Sequence, residues 1–103
     1  MAESRVITKL SAEQLQFITA VLPDGTNIYL NFYFNYNTNH WYLDVEYKNF
    51  IYNGIQIVYN DNLLRQFTRI LPFGIQVDSK TGLSPLSINS FKDGLNRIII
   101  NIF

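Results

Sequence analysis

Residues 26–47, TNIYLNFYFNYNTNHWYLDVEY, decide the fold, because both halves of this stretch carry the period of a strand covered on one face. In Ile28, Leu30, Phe32 and Phe34 a bulky apolar side chain recurs at every second residue, with Tyr29, Asn31, Tyr33 and Asn35 between them. Trp41, Leu43 and Val45 repeat the pattern, with Tyr42, Asp44 and Glu46 pointing the other way. Between the halves lies Asn35-Tyr36-Asn37-Thr38-Asn39-His40. Asn tolerates the left-handed conformation and bonds back to its local backbone, so this loop folds the chain onto itself. The stretch is one wide antiparallel hairpin, and the rest of the chain must pack against it.

Working outward from the hairpin, Pro23-Asp24-Gly25 is a turn: proline fixes φ at its second position and glycine supplies a positive φ near its end. Before it, Leu15, Phe17, Thr19 and Val21 alternate with Gln16, Ile18 and Ala20, which predicts a strand over 14–22. Ser11 and Gln14 match a helix capping box, but the β-branched content downstream favours the strand. Val6, Ile7 and Leu10 form a short apolar patch, read as an arm within residues 1–13 or as an edge strand.

On the other side, Lys48-Asn49 turns the chain into Phe50-Ile51-Tyr52, and Ile55, Ile57 and Tyr59 continue the alternation. Asn53-Gly54 within this run is either a hairpin turn or a glycine bulge. Asn60 or Asp61 is a good N-cap, and Leu63, Leu64 and Phe67 have helical spacing, which predicts one short helix. Pro72 and Pro85 punctuate apolar patches, Ile75-Gln76-Val77 is a short strand, and Asp78 to Gly82 has turn chemistry. In the last strand Ile98, Ile100 and Ile102 face one way and Ile99, Asn101 and Phe103 the other, so it is buried on both faces or against a partner. The expectation is a single all-β domain over 1–103, a small antiparallel β-sandwich or closed barrel of about seven strands.

Composition narrows the function classes. Hydrophobic residues are 48% and charged residues only 16% of 103, against about 25% charged in an ordinary soluble domain. So small and charge-poor a chain points to large contacts with other chains. The formal net charge is zero and the charges are scattered, which argues against a nucleic-acid or anionic-membrane partner. Cysteine is absent, which excludes disulfides and thiolate chemistry. Residues Met1 to Arg5 are polar and charged, with no signal-peptide pattern, and no apolar run reaches the ~18 residues of a membrane helix. The protein is expected in the cytosol of its producer, or to leave it only inside a larger particle.

Chemistry is sparse. His40 is the only histidine, so an enzymatic reading by a Ser/His/Asp arrangement would need it. Asp44 and Glu46 lie about 7 Å apart on one strand face and imitate a carboxylate pair, but solvated or cross-strand-paired charges are the plainer reading. Trp41 with Tyr29, Tyr33 and Tyr42 could form a carbohydrate or small-ligand platform, which requires Trp41 to be partly exposed. The same rings could stack nucleic-acid bases, yet the basic residues do not interleave with them. No calcium loop or phosphate cradle is present in the sequence, and no cofactor is expected.

Several segments taken in order carry a family resemblance. They are Ile7-Thr8-Lys9-Leu10 with Gln16-Phe17, Tyr29-Leu30, Trp41-Tyr42-Leu43-Asp44-Val45, Gly54-Ile55-Gln56-Ile57-Val58 with Asn62-Leu63-Leu64, and Gly94-Leu95 before an apolar last strand. Together they resemble the baseplate plug proteins of contractile-tailed phages. The resemblance implies a small β-domain in the virion, at the central hub of a tail baseplate, made in the host cytoplasm. It further implies a non-catalytic protein in multiple copies that contacts hub and tail tube proteins, and it carries no functional site residues. The segment from Phe67 to Ser90 matches least. As an assembly protein the chain would bury outward aromatics against its neighbours, and the candidate contacts are Tyr33, Tyr42, Tyr52, Phe73 and Phe103.

Overall fold

The computed structural model describes residues 4–8 and 10–103. Among the described residues seven strands run in the order β1 (Ser4–Thr8), β2 (Leu15–Val21), β3 (Asn27–Asn35), β4 (His40–Tyr47), β5 (Phe50–Gln56), β6 (Phe73–Ser79) and β7 (Asn96–Ile102). They form two antiparallel sheets, one of four strands in the order β2-β3-β4-β5 and one of three in the order β1-β7-β6. Among the described residues the two sheets form a sandwich, and no barrel closes. Of the expected arm, Ser4–Thr8 is an edge strand paired with β7, while residues 1–3 and 9 lie outside the described residues.

The central hairpin forms as its alternation dictates. Phe32 is registered on Leu43 and Phe34 on Trp41, so one apolar row from each strand faces the core. In the loop, Asn35 Oδ1 accepts the Asn37 amide at 2.8 Å and Asn39 adopts φ 56°, the local bonding and left-handed geometry that favour Asn in turns. The turn before β3 is closed by the Leu22 amide donating to the Thr26 carbonyl at 2.8 Å, with Gly25 at φ 88°. Asp24 Oδ1 accepts the Thr26 amide at 2.9 Å, and this bond holds the Asp24 carboxyl below its ordinary pKa.

The core lies between the sheets. Ile28, Leu30, Phe32, Leu43 and Val45 from one layer meet Phe73, Ile75, Val77, Ile98 and Ile100 from the other. Each such fully buried side chain contributes about 1.5–3 kcal/mol relative to exposure. Ile98 and Ile100 face this core and are inaccessible; on the opposite face of β7 Ile99 is also inaccessible, but it lies between an exposed Arg97 and a half-buried Asn101, so only part of that face is buried within the chain.

Two connections depart from the expectations. Residues 60–67 form no α-helix, only a 3-10 turn over Arg65–Phe67. Asn60 Oδ1 accepts the Asn62 amide and Asn62 Oδ1 accepts the Leu64 amide, local bonds that compete with a helix. The Asn60 and Leu63 amides donate to the Val77 and Ile75 carbonyls, which covers the free edge of β6. Gly54, at φ 75°, makes a bulge inside β5 rather than a hairpin turn, and the β4–β5 register shifts between Leu43 and Val45 opposite it.

Candidate interaction surface

The outer face of the four-stranded sheet is built by the strand residues that alternate with the core rows. Because β2 is registered on β3 through Ile18↔Leu30 and Ala20↔Ile28, its inward side chains are Gln16, Ile18 and Ala20. The bulkier set, Leu15, Phe17 and Val21, points outward. Across the face run Leu15, Tyr33 and Tyr42 in one row, Phe17, Asn31 and Asp44 in the next, and Thr19, Tyr29, Glu46 and Ile51 in a third. Phe17 is 74% and Ile51 62% exposed, with Leu15, Val21 and Tyr29 also exposed.

Asp44 organises the middle of this face. Its carboxylate accepts the Gly54 amide at 2.9 Å, Asn31 Nδ2 at 3.2 Å and the Tyr33 hydroxyl at 3.3 Å. The bulge in β5 thus points a backbone donor at a carboxylate on β4. Tyr33 stacks on its cross-strand neighbour Tyr42 with ring centroids 5.7 Å apart. Burial, and then the adjacent Asp44 charge, push the Tyr33 phenol above its ordinary pKa. Beside Asp44 a concavity of about 300 Å³ is lined by Phe17, Tyr29, Glu46, Ile51 and Asn53. Asn31 Oδ1 is enclosed there without a hydrogen-bond partner among the described residues. Among the described residues, no three His, Asp or Glu side chains converge on a point where a metal ion could be held.

The expected contact residues fall in different places. Tyr33 and Tyr42 belong together on the outer face, half-buried. Tyr52, on the edge strand β5, packs edge-on against Phe67 with ring centroids 5.0 Å apart. Phe103 is exposed at the opposite sheet, its amide bonded to the Pro72 carbonyl at 2.8 Å. Phe73 offers no contact surface: it is 1% exposed and packs against Tyr47 with centroids 5.5 Å apart, because it belongs to the inward row of β6.

The ligand platform is corrected in the same way. Trp41 is wholly buried between Phe34 and Phe91, and its Nε1 donates to the Ser87 carbonyl at 3.0 Å, so it presents no ring to a sugar. His40 opens β4 opposite Asn35, and its Nδ1 is enclosed without a partner among the described residues. Leu15, Phe17, Val21, Tyr29 and Ile51 were absent from the sequence-derived contacts. The signal that finds them is hairpin parity, since the 23–25 turn forces the inward set of β2 to match Ile28, Leu30 and Phe32.

These features define an all-β sandwich that presents a set of exposed aromatic and apolar side chains on the outer face of its four-stranded sheet. Comparison with known families gives the particular one: residues 6–100 match the model of the family described as cyanophage baseplate Pam3 plug gp18, and the chain belongs to that baseplate plug family. No curated protein matches it.

Proposed function

We propose that the chain is a non-enzymatic structural component of a phage tail baseplate, and that it assembles with hub and tail tube proteins by burying the outer face of its four-stranded sheet. Family membership supports the baseplate role. The single observation that carries the docking face is the exposure of Leu15, Phe17, Val21, Tyr29 and Ile51 on one sheet. Soluble domains seldom leave so much contiguous apolar surface wet unless another chain covers it. Aromatic anchors beside hydrogen-bonding groups such as Asp44 and Tyr33 are also the composition of an interface centre. Tyr52 and Phe103, on other faces, are secondary contacts in this reading.

The test is incorporation of variants into particles. Tyr29→Ser with Ile51→Lys removes two outward side chains that lie away from the free edge of β2 and leaves the core untouched. Burial of one such side chain is worth about 1.5–3 kcal/mol, so the double variant should assemble at least about 10-fold less efficiently in competition with wild type. A folded double variant that incorporates at the wild-type level would show that this face is not the interface.

A further inference from the structure

We propose that the free edge of β2 pairs with the β2 edge of a second copy, joining two four-stranded sheets into one continuous antiparallel sheet. Among the described residues the other edges are blunted. That of β6 is bonded to Asn60 and Leu63, that of β5 is bent by the Gly54 bulge, and β1 carries Arg5 in its sequence. β2 has no such device. Its residues Leu15 to Val21 contain no charge, no proline and no glycine, the features by which natural edge strands avoid pairing.

The direction of its backbone groups follows from the hairpin. The Phe34 amide donates to the Gln14 carbonyl and the Leu22 amide to the Thr26 carbonyl, which makes these the hydrogen-bonded pairs of the ladder with β3. Antiparallel ladders alternate, so Gln16, Ile18 and Ala20 also bond to β3, while Leu15, Phe17, Thr19 and Val21 aim their N–H and C=O groups at the open edge.

This edge complements itself. A two-fold axis at Ile18 sets Leu15 opposite Val21 and Phe17 opposite Thr19, and every outward residue of both copies gains a partner. The ladder ends where it should, because Pro23, next in the outward series, has no N–H. Apolar side chains meet on the outer face, and the half-buried Ile18 is covered by its own symmetry mate. A formal net charge of zero gives no long-range repulsion between copies. Seven residues at about 3.3 Å each make a short contact of about 23 Å, which places the dimer in the weak, reversible class.

The inference does not depend on the baseplate reading, since the purified chain alone tests it. Sedimentation from about 10 µM to 1 mM should show a reversible monomer–dimer equilibrium, as expected for a contact of this size. Amide exchange followed by NMR at high concentration should slow at Leu15, Phe17, Thr19 and Val21, and not at Gln16, Ile18 or Ala20. Thr19→Pro removes one outward donor and Phe17→Lys places a charge on the edge. Each should weaken dimerisation at least 10-fold while leaving the near-ultraviolet spectrum of the buried Trp41 intact. A monomer throughout the range, protection at another edge, or a dimer insensitive to both variants would overturn the proposal. So would protection of the same four amides only after a different baseplate protein is added, which would give the edge another occupant. If the variants fail to fold, the wild-type exchange pattern still decides.

Discussion

Replacing Asp44 tests whether the outer face is held together by one carboxylate. Asp44 is half-buried and accepts the Gly54 amide at 2.9 Å, Asn31 Nδ2 at 3.2 Å and the Tyr33 hydroxyl at 3.3 Å. A hydrogen bond contributes about 0.5–1.5 kcal/mol net, and water can reach the Gly54 amide once the carboxylate is gone. Asp44→Ala should therefore cost about 2 kcal/mol, or roughly 8–16 °C in Tm for a domain of this size. Asp44→Asn keeps one oxygen that can still accept the Gly54 amide, and should cost about half as much. The same variants act on Tyr33, whose phenol is held above its ordinary value first by burial and second by the Asp44 charge. A raised phenol pKa stabilises the fold below pH about 10, and that contribution is lost as the pH rises through the folded value. Both variants should shift one tyrosine of the ultraviolet titration down and shrink the alkaline loss of stability. A Tm within about 2 °C of wild type together with an unchanged tyrosine titration would refute the reasoning.

Three further outcomes follow from single positions. A Cβ at Gly74 would lie 2.8 Å from the Asn62 side chain, whose Oδ1 accepts the Leu64 and Ile75 amides. Gly74→Ala should accordingly lower the urea midpoint by an amount equivalent to about 1–3 kcal/mol. Trp41 is wholly buried, so iodide should leave its fluorescence nearly unquenched, and efficient quenching would contradict its place in the core. The Thr26 amide holds the Asp24 carboxyl below its ordinary pKa, so its stabilising contribution is present above pH about 4 and lost as the pH falls through the folded value. Denaturation measured between pH 2 and 5 should show a flatter acid limb in Asp24→Asn.

The central hairpin was legible because residues 28–34 and 41–45 separate large apolar from polar side chains at a strict period of two. β2 was legible as a strand but not in its facing. Its two alternating sets are both largely apolar, and the larger one faces out; only its pairing with β3 across the 23–25 turn settles which is which. Phe73 misled for a related reason: flanked by Pro72 and Gly74 it reads as a loop aromatic, whereas it begins β6 on the inward row. The Asn60–Phe67 segment has helical spacing, but its Asn side chains bond locally and its amides bond across to β6, which tertiary pairing alone reveals. For Asp44 the sequence left a solvated or a cross-strand-paired charge open; its cross-strand partners are Asn31 and Tyr33, and the Gly54 amide was not legible because the bulge that aims it depends on a register shift between strands.

The two outer faces of the sandwich differ in a way that favours the four-stranded sheet as the proposed docking side. On the three-stranded sheet the outward side chains satisfy one another: Arg97 forms an ion pair with Asp78, Asn101 Nδ2 donates to Gln76 Oε1 at 3.1 Å, and Ile99 between them is already inaccessible. A partner there would have to break polar pairs that water and protein already stabilise, with Phe103 at the sheet's end as the exposed apolar side chain to gain. On the four-stranded sheet the outward rows leave Phe17, Tyr29 and Ile51 in water around a carboxylate that has hydrogen bonds but, among the described residues, no ion-pair partner. Covering that face releases apolar surface from water without dismantling an existing salt bridge, and a basic group on the neighbour would meet Asp44 or Glu46 uncontested. The difference between the faces, rather than the total apolar content of the chain, is the physical argument for the proposed docking through the four-stranded sheet.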